Sequence, residues 1–405
     1  MPASSQRINL RTPEVMREVQ AKVEQHYRSS LVEQVRAQGG FFSVGQTHFY
    51  LAKQFGFCYG VERAIDLAYA ARKVFPKERL FLVGEIIHNP EVNAHIAALG
   101  IQNLLAGGGA SAIESLQPED VVILPAFGTE ISMLEKIKAR GCRIVDTTCG
   151  DVMSVWKRVK QNATEEVTSI IHGKASHEET KATASRALGG GKGHYLIVLN
   201  LEEVQFLVRY LLGEENRESF LKKFAGAFSE GFNPELHLRR IGVANQTTML
   251  RAETEEIQRR LRDALEQRDG STNNFRFFDT ICGATQERQE ALLDLMERPL
   301  DFLLVVGGYN SSNTTHLAEM GEKKLPTYFI RNQQCLEGVH RLRHFDLHAH
   351  EEVILDGAWM VKSIQEPLTV GITAGASCPN NLIEEVMMRL LELRGEDGSY
   401  SDIPS

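Results

Sequence analysis

The chain has 405 residues and a mass of 45.3 kDa, more than one ordinary core accommodates, so two or three domains are expected. Hydrophobic residues make up 42% and charged residues 24%, the mix of a soluble globular protein, and no run of about 18 apolar residues is present to cross a membrane. The balance of 45 basic against 53 acidic residues, net charge -8, lacks the basic stripe of a nucleic-acid binder, and six scattered cysteines form no disulfide scaffold and suit a reducing compartment.

The first segment, Met1-Pro-Ala-Ser-Ser-Gln-Arg7, has no apolar signal core, and Glu14 and Glu18 come too early for a normal transit peptide. The cytoplasm is therefore the expected location, with a plastid stroma as the option in a plant or alga. Thr12 and Pro13 signal a helix start, and the stripe Val15, Val19, Val23, Tyr27, Leu31 and Val35 predicts one helix up to Gly39-Gly40. Such a helix packs on the body or on a second copy of the chain, which leaves a homodimer open.

From Gly45 onward short β-branched runs alternate with longer amphipathic stretches. The runs are Leu80–Val83, Val121–Leu124, Arg143–Val145, Ser169–Ile171, Tyr195–Leu199, Ile241–Ala244, Phe277–Ile281, Phe302–Val306, Thr327–Ile330 and Thr369–Thr373. That rhythm predicts an α/β protein of βαβ units with parallel sheets, divided among several small domains rather than one wide sheet. Gly213–Arg239, charged and interrupted by glycines and Pro234, reads as a surface excursion, and the polar tail after Arg394 reads as loose. Ligands of open parallel sheets sit where strands end and helices begin, so the polar residues at those junctions come next.

Three cysteines occupy such junctions: Cys58 in Phe55-Gly-Phe-Cys-Tyr-Gly60, Cys149 in Asp146-Thr-Thr-Cys-Gly150 and Cys282 in Asp279-Thr-Ile-Cys-Gly283. The last two pentapeptides are nearly identical, an echo of duplicated domains. A helix N-terminus stabilises a thiolate, and thiolates are the ligands of soft metal sites. Separations of 91 and 133 residues exclude a zinc ribbon or a ferredoxin-type run, but they suit three domains each giving one ligand to a shared centre. Three buried structural cysteines are the competing reading. Cys142 and Cys335 read as structural, and Cys378 stands beside Ser377.

The remaining junctions are polar. Gly307-Gly-Tyr-Asn-Ser-Ser-Asn313, Ala374-Gly-Ala-Ser-Cys-Pro379 and Asn245-Gln-Thr-Thr248 place hydroxyl and amide groups before helices, the makings of an uncharged phosphate cradle. His88 follows a strand in Gly84-Glu-Ile-Ile-His88, and His177 and Glu179 follow another in Ile170-Ile-His-Gly-Lys-Ala-Ser-His-Glu-Glu179. A histidine there serves phosphate binding and a carboxyl serves proton delivery.

In this order, from about Phe55 to Leu391, the motifs resemble the 4-hydroxy-3-methylbut-2-enyl diphosphate reductases, the last enzymes of the methylerythritol phosphate route to isoprenoids. The resemblance implies three α/β domains in pseudo-threefold arrangement around a [4Fe-4S] cluster, one iron of which has no protein ligand. The implied limits are 59–149 for the first domain and 150–276 for the second. The third is built from 45–58 and 277–393, flanked by a helical extension over 1–44 and a tail over 394–405. Cys58, Cys149 and Cys282 match the cluster ligands, and Glu179 matches the proton donor. Thr247 and Thr248 match a threonine pair whose first member lies near the substrate hydroxyl. His88, His177, Ser311, Ser312, Asn313 and Ser377 match contacts to the diphosphate or hydroxyl.

One departure stands out. Many bacterial members carry Ala-His-Gly where this chain has Pro125-Ala-Phe-Gly128, so Phe127 removes one phosphate contact. That change and the long N-terminal helix resemble the cyanobacterial and plant branch, and Lys174 and Lys181 are the nearby cations that could compensate. The implied activity is a two-electron reductive dehydroxylation to isopentenyl and dimethylallyl diphosphate. Ferredoxin or flavodoxin is the expected donor, since no flavin or nicotinamide fingerprint is evident. A three-cysteine cluster lyase of the quinolinate synthase type, a zinc hydrolase and a metal-free diphosphate-binding module are the alternatives.

Overall fold

The computed structural model describes residues 10–106, 110–357, 359–360 and 362–396. They divide into two compact units, one made of residues 75–86 and 100–282, the other of residues 10–74, 87–99 and those from 283 onward.

The second unit begins the described chain. The apolar stripe predicted one helix, but two are present, Pro13–Tyr27 and Ser30–Ala37. The break has a local cause: Arg28 leaves the helical conformation at ψ 153°, and buried Ser29 caps the next helix, its Oγ accepting from Val32 N–H at 3.0 Å. A hairpin of β1 (Phe41–Val44) and β2 (Thr47–Leu51) follows, then the helix Tyr59–Val74.

In the first unit, β3 (Leu80–Leu82), β4 (Ile101–Asn103), β5 (Val121–Leu124) and β6 (Arg143–Asp146) form a parallel sheet in the order β4-β3-β5-β6. A second parallel sheet contains β7 (Thr168–His172), β8 (Tyr195–Val198), β9 (Ile241–Asn245) and β10 (Phe275–Phe277), in the order β10-β9-β7-β8. Every residue of β5 and β7 is buried, as expected of parallel strands covered on both faces.

The chain then returns to the second unit with β11 (Phe302–Val306), β12 (Thr327–Ile330), β13 (Leu336–Gly338), β14 (Arg341–Asp346), β15 (Glu351–Asp356) and β16 (Leu368–Ala374). These join the opening hairpin in the order β1-β2-β16-β11-β12-β14-β13, with β15 on β14. All three sheets share one connectivity. Numbering four parallel strands from the first of each set, the order is fourth, third, first, second: β6-β5-β3-β4, β10-β9-β7-β8 and β2-β16-β11-β12. In the last sheet the fourth strand comes from the start of the chain.

Two segments differ from expectation. Gly213–Arg239 is not a surface excursion: it holds the short helices Arg217–Lys223 and Pro234–His237, and Phe220, Phe224, Phe232 and Leu238 pack with Val204, Leu207 and Ile241 in one core. Phe220 and Phe224 are four apart, hence on one helical face, while the charges point outward. The tail beyond Arg394 is not loose at its start. The buried Arg394 guanidinium donates to the carbonyls of Ile364 and Glu366 at 3.0 and 2.8 Å. The Glu396 carboxylate accepts from Gln46 N–H at 2.6 Å and from the Thr47 hydroxyl. Residues 397–405, like 1–9, lie outside the described residues. Among the described residues no helix is long and apolar enough to cross a membrane.

Candidate functional site

Each sheet ends in the same device at its cysteine. Cys149 follows β6 and its N–H donates to the carbonyl of Ala126, in the loop after the neighbouring strand β5, at 2.8 Å. Cys282 follows β10 and donates likewise to Thr247, after β9, at 3.1 Å. Cys58, in the loop beyond β2, donates to Ala376, after β16, at 3.2 Å. A helix begins at the next residue in all three cases: Gly150–Thr164, Gly283–Leu295 and Tyr59–Val74. The repeated pentapeptide has a structural reason too. Thr147 Oγ1 donates to the Leu124 carbonyl at 2.6 Å, and Thr280 Oγ1 donates to Asn245 Oδ1 at 2.8 Å, so the same threonine ties each cysteine turn to the adjacent strand.

The six cysteines separate by environment. Cys58, Cys149 and Cys282 are partly exposed at helix starts and in no disulfide, whereas Cys142, Cys335 and Cys378 are buried. Burial, with Glu385 as a smaller contributor, pushes the Cys378 thiol far above its ordinary range, and burial also raises that of Cys142. Cys142 and Cys378 therefore remain protonated and poor metal ligands, while the three partly exposed thiols suit ligation of iron.

In the first unit a second group of side chains meets. His177 caps the helix Glu178–Ala187, its Nδ1 accepting from Glu179 N–H at 3.1 Å, so the neutral ring carries its proton on Nε2 and presents a donor. Glu179, only 3% exposed, sits in the first helical turn, where the helix dipole favours an anion. Its Oε1 accepts from Thr247 N–H at 2.6 Å, and its Oε2 meets the Thr247 hydroxyl at 3.0 Å. The Thr247 peptide thus joins two site groups, its N–H holding Glu179 and its carbonyl holding Cys282. Phe127 is buried with its ring 6.4 Å from that of His177, edge to face. Lys174 approaches this group through its backbone N–H, which donates to Gln246 Oε1 at 3.2 Å.

The second unit brings together the hydroxyls and amides. Ser311 caps the helix Ser312–Glu322, and its Oγ receives the Thr314 hydroxyl at 2.9 Å and that of Ser377 at 3.4 Å. Ser377 Oγ also lies 3.0 Å from the His88 carbonyl, and Asn310 Nδ2 reaches His88 Nδ1 at 3.4 Å. Asn313 Oδ1 accepts from Ala376 N–H at 2.9 Å, which fixes the amide and aims Nδ2 the other way. That nitrogen, on a residue 2% exposed, has no hydrogen-bond partner among the described residues, the condition of a donor awaiting an anionic oxygen. Ser312 is partly exposed at the first helical position. A Cβ on Gly375 would stand 1.9 Å from Thr314 Oγ1, so only glycine lets the Gly375–Ser377 loop close on the Ser311 helix.

Reading the sequence alone missed Gln246, which is buried and hydrogen-bonded to both Thr180 and Thr248. It missed β2 as well, the strand that leads to Cys58.

The sequence profile of the LytB protein family matches residues 49–391. A 4-hydroxy-3-methylbut-2-enyl diphosphate reductase of Thermosynechococcus vestitus is 44% identical over 381 residues, covering 93% of this chain and 92% of its own. The protein of the same name from Synechococcus sp. (strain RCC307) is 44% identical over 397 residues, covering 96% and 94%. Among solved structures, the E-1-hydroxy-2-methyl-but-2-enyl-4-diphosphate reductase of Plasmodium falciparum superposes with a TM-score of 0.61 at 21% identity, covering 88% of this chain and 94% of that one. A second, (E)-4-hydroxy-3-methyl-but-2-enyl diphosphate reductase, described as the terminal enzyme of the non-mevalonate pathway, gives 0.52 at 24%, covering 86% and 100%. The two structures share the fold. None of these relatives is a lyase or a zinc hydrolase.

Proposed function

Because the chain belongs to the LytB protein family of 4-hydroxy-3-methylbut-2-enyl diphosphate reductases, we propose that its three helix-start thiols hold the cluster, and that Glu179 and the hydroxyl cradle serve the substrate. The reaction takes two electrons and two protons, breaks the allylic C–O bond, forms one C–H bond and releases water. Its products are isopentenyl and dimethylallyl diphosphate, which makes it the terminal step of the methylerythritol phosphate route.

The family uses an iron–sulfur cluster, and Cys58, Cys149 and Cys282 are the residues that would hold it here. Three thiolates on a [4Fe-4S] cluster leave one iron without a protein ligand. When bound, such a cluster supplies the electrons and a Lewis-acidic iron. A small external protein, ferredoxin or flavodoxin, delivers the electrons.

The chain's own residues bind, orient and protonate. Ser311, Ser312, Asn313 and Ser377 receive the diphosphate with neutral donors at a helix start, and His88 and His177 add imidazole N–H donors. Held there, the carbon chain loses rotational freedom before reaction. The Thr247 hydroxyl donates to Glu179 Oε2 at 3.0 Å; when Glu179 takes up a proton the direction reverses, and the threonine hydroxyl passes a proton on to the departing oxygen. The single observation that carries this reading is the Glu179–Thr247–Cys282 chain, in which the backbone of one residue joins the acid to a proposed cluster ligand.

Anaerobic purification with iron and sulfide analysis, followed by assay with the allylic diphosphate and a reductant, tests it. About four irons per chain and formation of both products are expected. A protein that stays colourless after anaerobic reconstitution overturns the reading.

A further inference from the structure

Two helices of the first unit start at site residues and meet again two turns further in. Cys149 precedes the helix Gly150–Thr164, and Trp156 lies seven residues beyond it. Glu179 stands in the first turn of Glu178–Ala187, and Arg186 lies seven residues beyond it. Seven residues make two helical turns, about 10 Å, so each pair shares one helix face. The Arg186 guanidinium lies over the Trp156 ring, 3.3 Å from the centroid. Trp156 forms a small core with Val152 and Ala182, and Cys149 packs against it.

The same pair grips the loop after β5. Arg186 Nη1 donates to the Thr129 carbonyl at 2.7 Å and to the Ala182 carbonyl of its own helix at 2.8 Å. Ile131 N–H, just beyond the loop, donates to Ser185 Oγ at 3.2 Å. A Cβ on Gly128 would stand 2.3 Å from Trp156 Cζ2, so the loop can lie on the indole because that residue is glycine. This is the loop whose Ala126 carbonyl accepts from Cys149 N–H at 2.8 Å. Arg186 is 5% exposed and makes no ion pair among the described residues. Burial, opposed by Asp146, lowers its guanidinium to about 10, so it stays charged at neutral pH. A buried cation without a counter-charge is costly, and here two carbonyls, Ser185 Oγ at 3.1 Å and the indole face answer it.

We propose that Arg186 is a positioning residue that fixes Glu179 relative to Cys149, by clamping the far end of the Glu179 helix to Trp156 and to the loop that holds the Cys149 turn. The inference rests on the reading that Glu179 is the acid and Cys149 a cluster ligand. The clamp works at a distance from both: neither side chain touches Arg186, and each is set by the helix or turn that Arg186 secures. Arg186→Met tests it, because methionine keeps an apolar stem against Trp156 and removes every donor to the Thr129 and Ala182 carbonyls.

Wild type and R186M are compared as full-length, cluster-loaded protein under anaerobic conditions, by amide hydrogen exchange, by the rate at which a ferrous chelator removes iron, and by steady-state kinetics. R186M is expected to speed exchange in residues 125–131 and at Cys149 by about tenfold to hundredfold, the loss of a hydrogen bond from a charged donor, while strand β8 keeps its protection. Iron loss is expected to accelerate by a similar factor, and kcat per bound cluster to fall with KM nearly unchanged. A uniform rise in exchange, β8 included, makes Arg186 a residue of general stability and overturns the proposal. Unchanged exchange in residues 125–131 overturns it too, as does faster exchange there with iron loss and kcat unchanged. Wild-type protein that holds no iron overturns the cluster reading instead, and exchange at Cys149 then decides the clamp by itself. Should R186M not fold, Ser185→Ala, which removes the acceptor of Ile131 N–H, enters the same comparison with the same outcomes.

Discussion

The carboxylate of Glu179 is held at both oxygens by Thr247, through the backbone N–H at 2.6 Å and the hydroxyl at 3.0 Å. One contact survives every side-chain substitution except proline, because it is made by the backbone N–H. The other is removable, because it depends on a side chain, and it lies on the oxygen assigned to proton transfer.

Glu179→Gln is expected to keep the fold and the iron while kcat falls by about 10²- to 10⁴-fold, the usual contribution of a general acid. Thr247→Val is expected to lower kcat by about tenfold to hundredfold, and Thr247→Ser to restore most of it. Steady-state kinetics with a chemical reductant, beside iron analysis, decides. Near-normal turnover of E179Q removes Glu179 from the acid role.

Serine at Cys58, Cys149 or Cys282 should abolish most iron binding, because a hydroxyl is a poor substitute for thiolate. Alanine at Cys142 or Cys378 should leave a brown protein, since those thiols are buried and raised above their ordinary range. Iron analysis and the visible spectrum of all five variants check this. A brown C149S protein refutes the assignment at that position.

Asn313→Asp replaces the inward-facing Nδ2 donor with a carboxylate oxygen, against which the diphosphate is repelled. KM should rise by about a hundredfold or more with kcat changed far less, as uniform binding is lost. An unchanged KM separates Asn313 from the diphosphate.

The N-terminal helix carries an acid-sensitive contact. The rings of His26 and His95 lie 3.4 Å apart, and His95 Nδ1 meets the Tyr27 hydroxyl at 3.0 Å. Burial holds both imidazoles below their ordinary 6.5, and for His95 the neighbouring His26 adds to the effect. The folded state therefore binds fewer protons than the unfolded one, and the stabilising contribution is present above pH 6.5 and lost as pH falls through the folded pKa values. Hydrogen exchange across Pro13–Tyr27 should accelerate on going from about pH 7.5 to about pH 5, after correction for intrinsic rates, and less so in His26→Gln. Equal protection at both values contradicts it.

The strand-to-helix junctions were legible in the sequence because their chemistry is local. Asp146-Thr-Thr-Cys-Gly150 contains the strand end, the buried threonine and the helix-start thiol within five residues, and Val121–Leu124 shows its burial in its composition. Strand β2 was not legible. Thr47-His-Phe-Tyr-Leu51 is short, and its parallel partner β16 is more than 300 residues away, so nothing nearby distinguishes it from a loop. Gln246 escaped for a related reason: a glutamine in a polar loop is unremarkable until Thr180 and Lys174 arrive from another junction. The helix break at Arg28–Ser29 hid behind an unbroken apolar stripe, since Val23, Tyr27, Leu31 and Val35 keep their spacing across it.

Glu396 provides the last test. Its carboxylate accepts from Gln46 N–H and the fully buried Thr47 hydroxyl, so Glu396→Ala leaves two donors without their acceptor. A loss of about 1–3 kcal/mol is expected, with faster amide exchange at Gln46. An unchanged thermal midpoint together with unchanged exchange refutes the anchoring.

The pairing of β2 with β16 aligns Leu51 with Ile372, 321 residues later in the chain. During synthesis the segment bearing Cys58 therefore waits beside β1 alone until almost the whole polypeptide has emerged, roughly 15–65 s at ordinary elongation rates. The turns of Cys149 and Cys282 depend on strands made soon before them and can close much earlier. A growing chain on the ribosome thus presents two finished thiol turns and one unfinished, and a site that needs all three turns is complete only after β16 has been made.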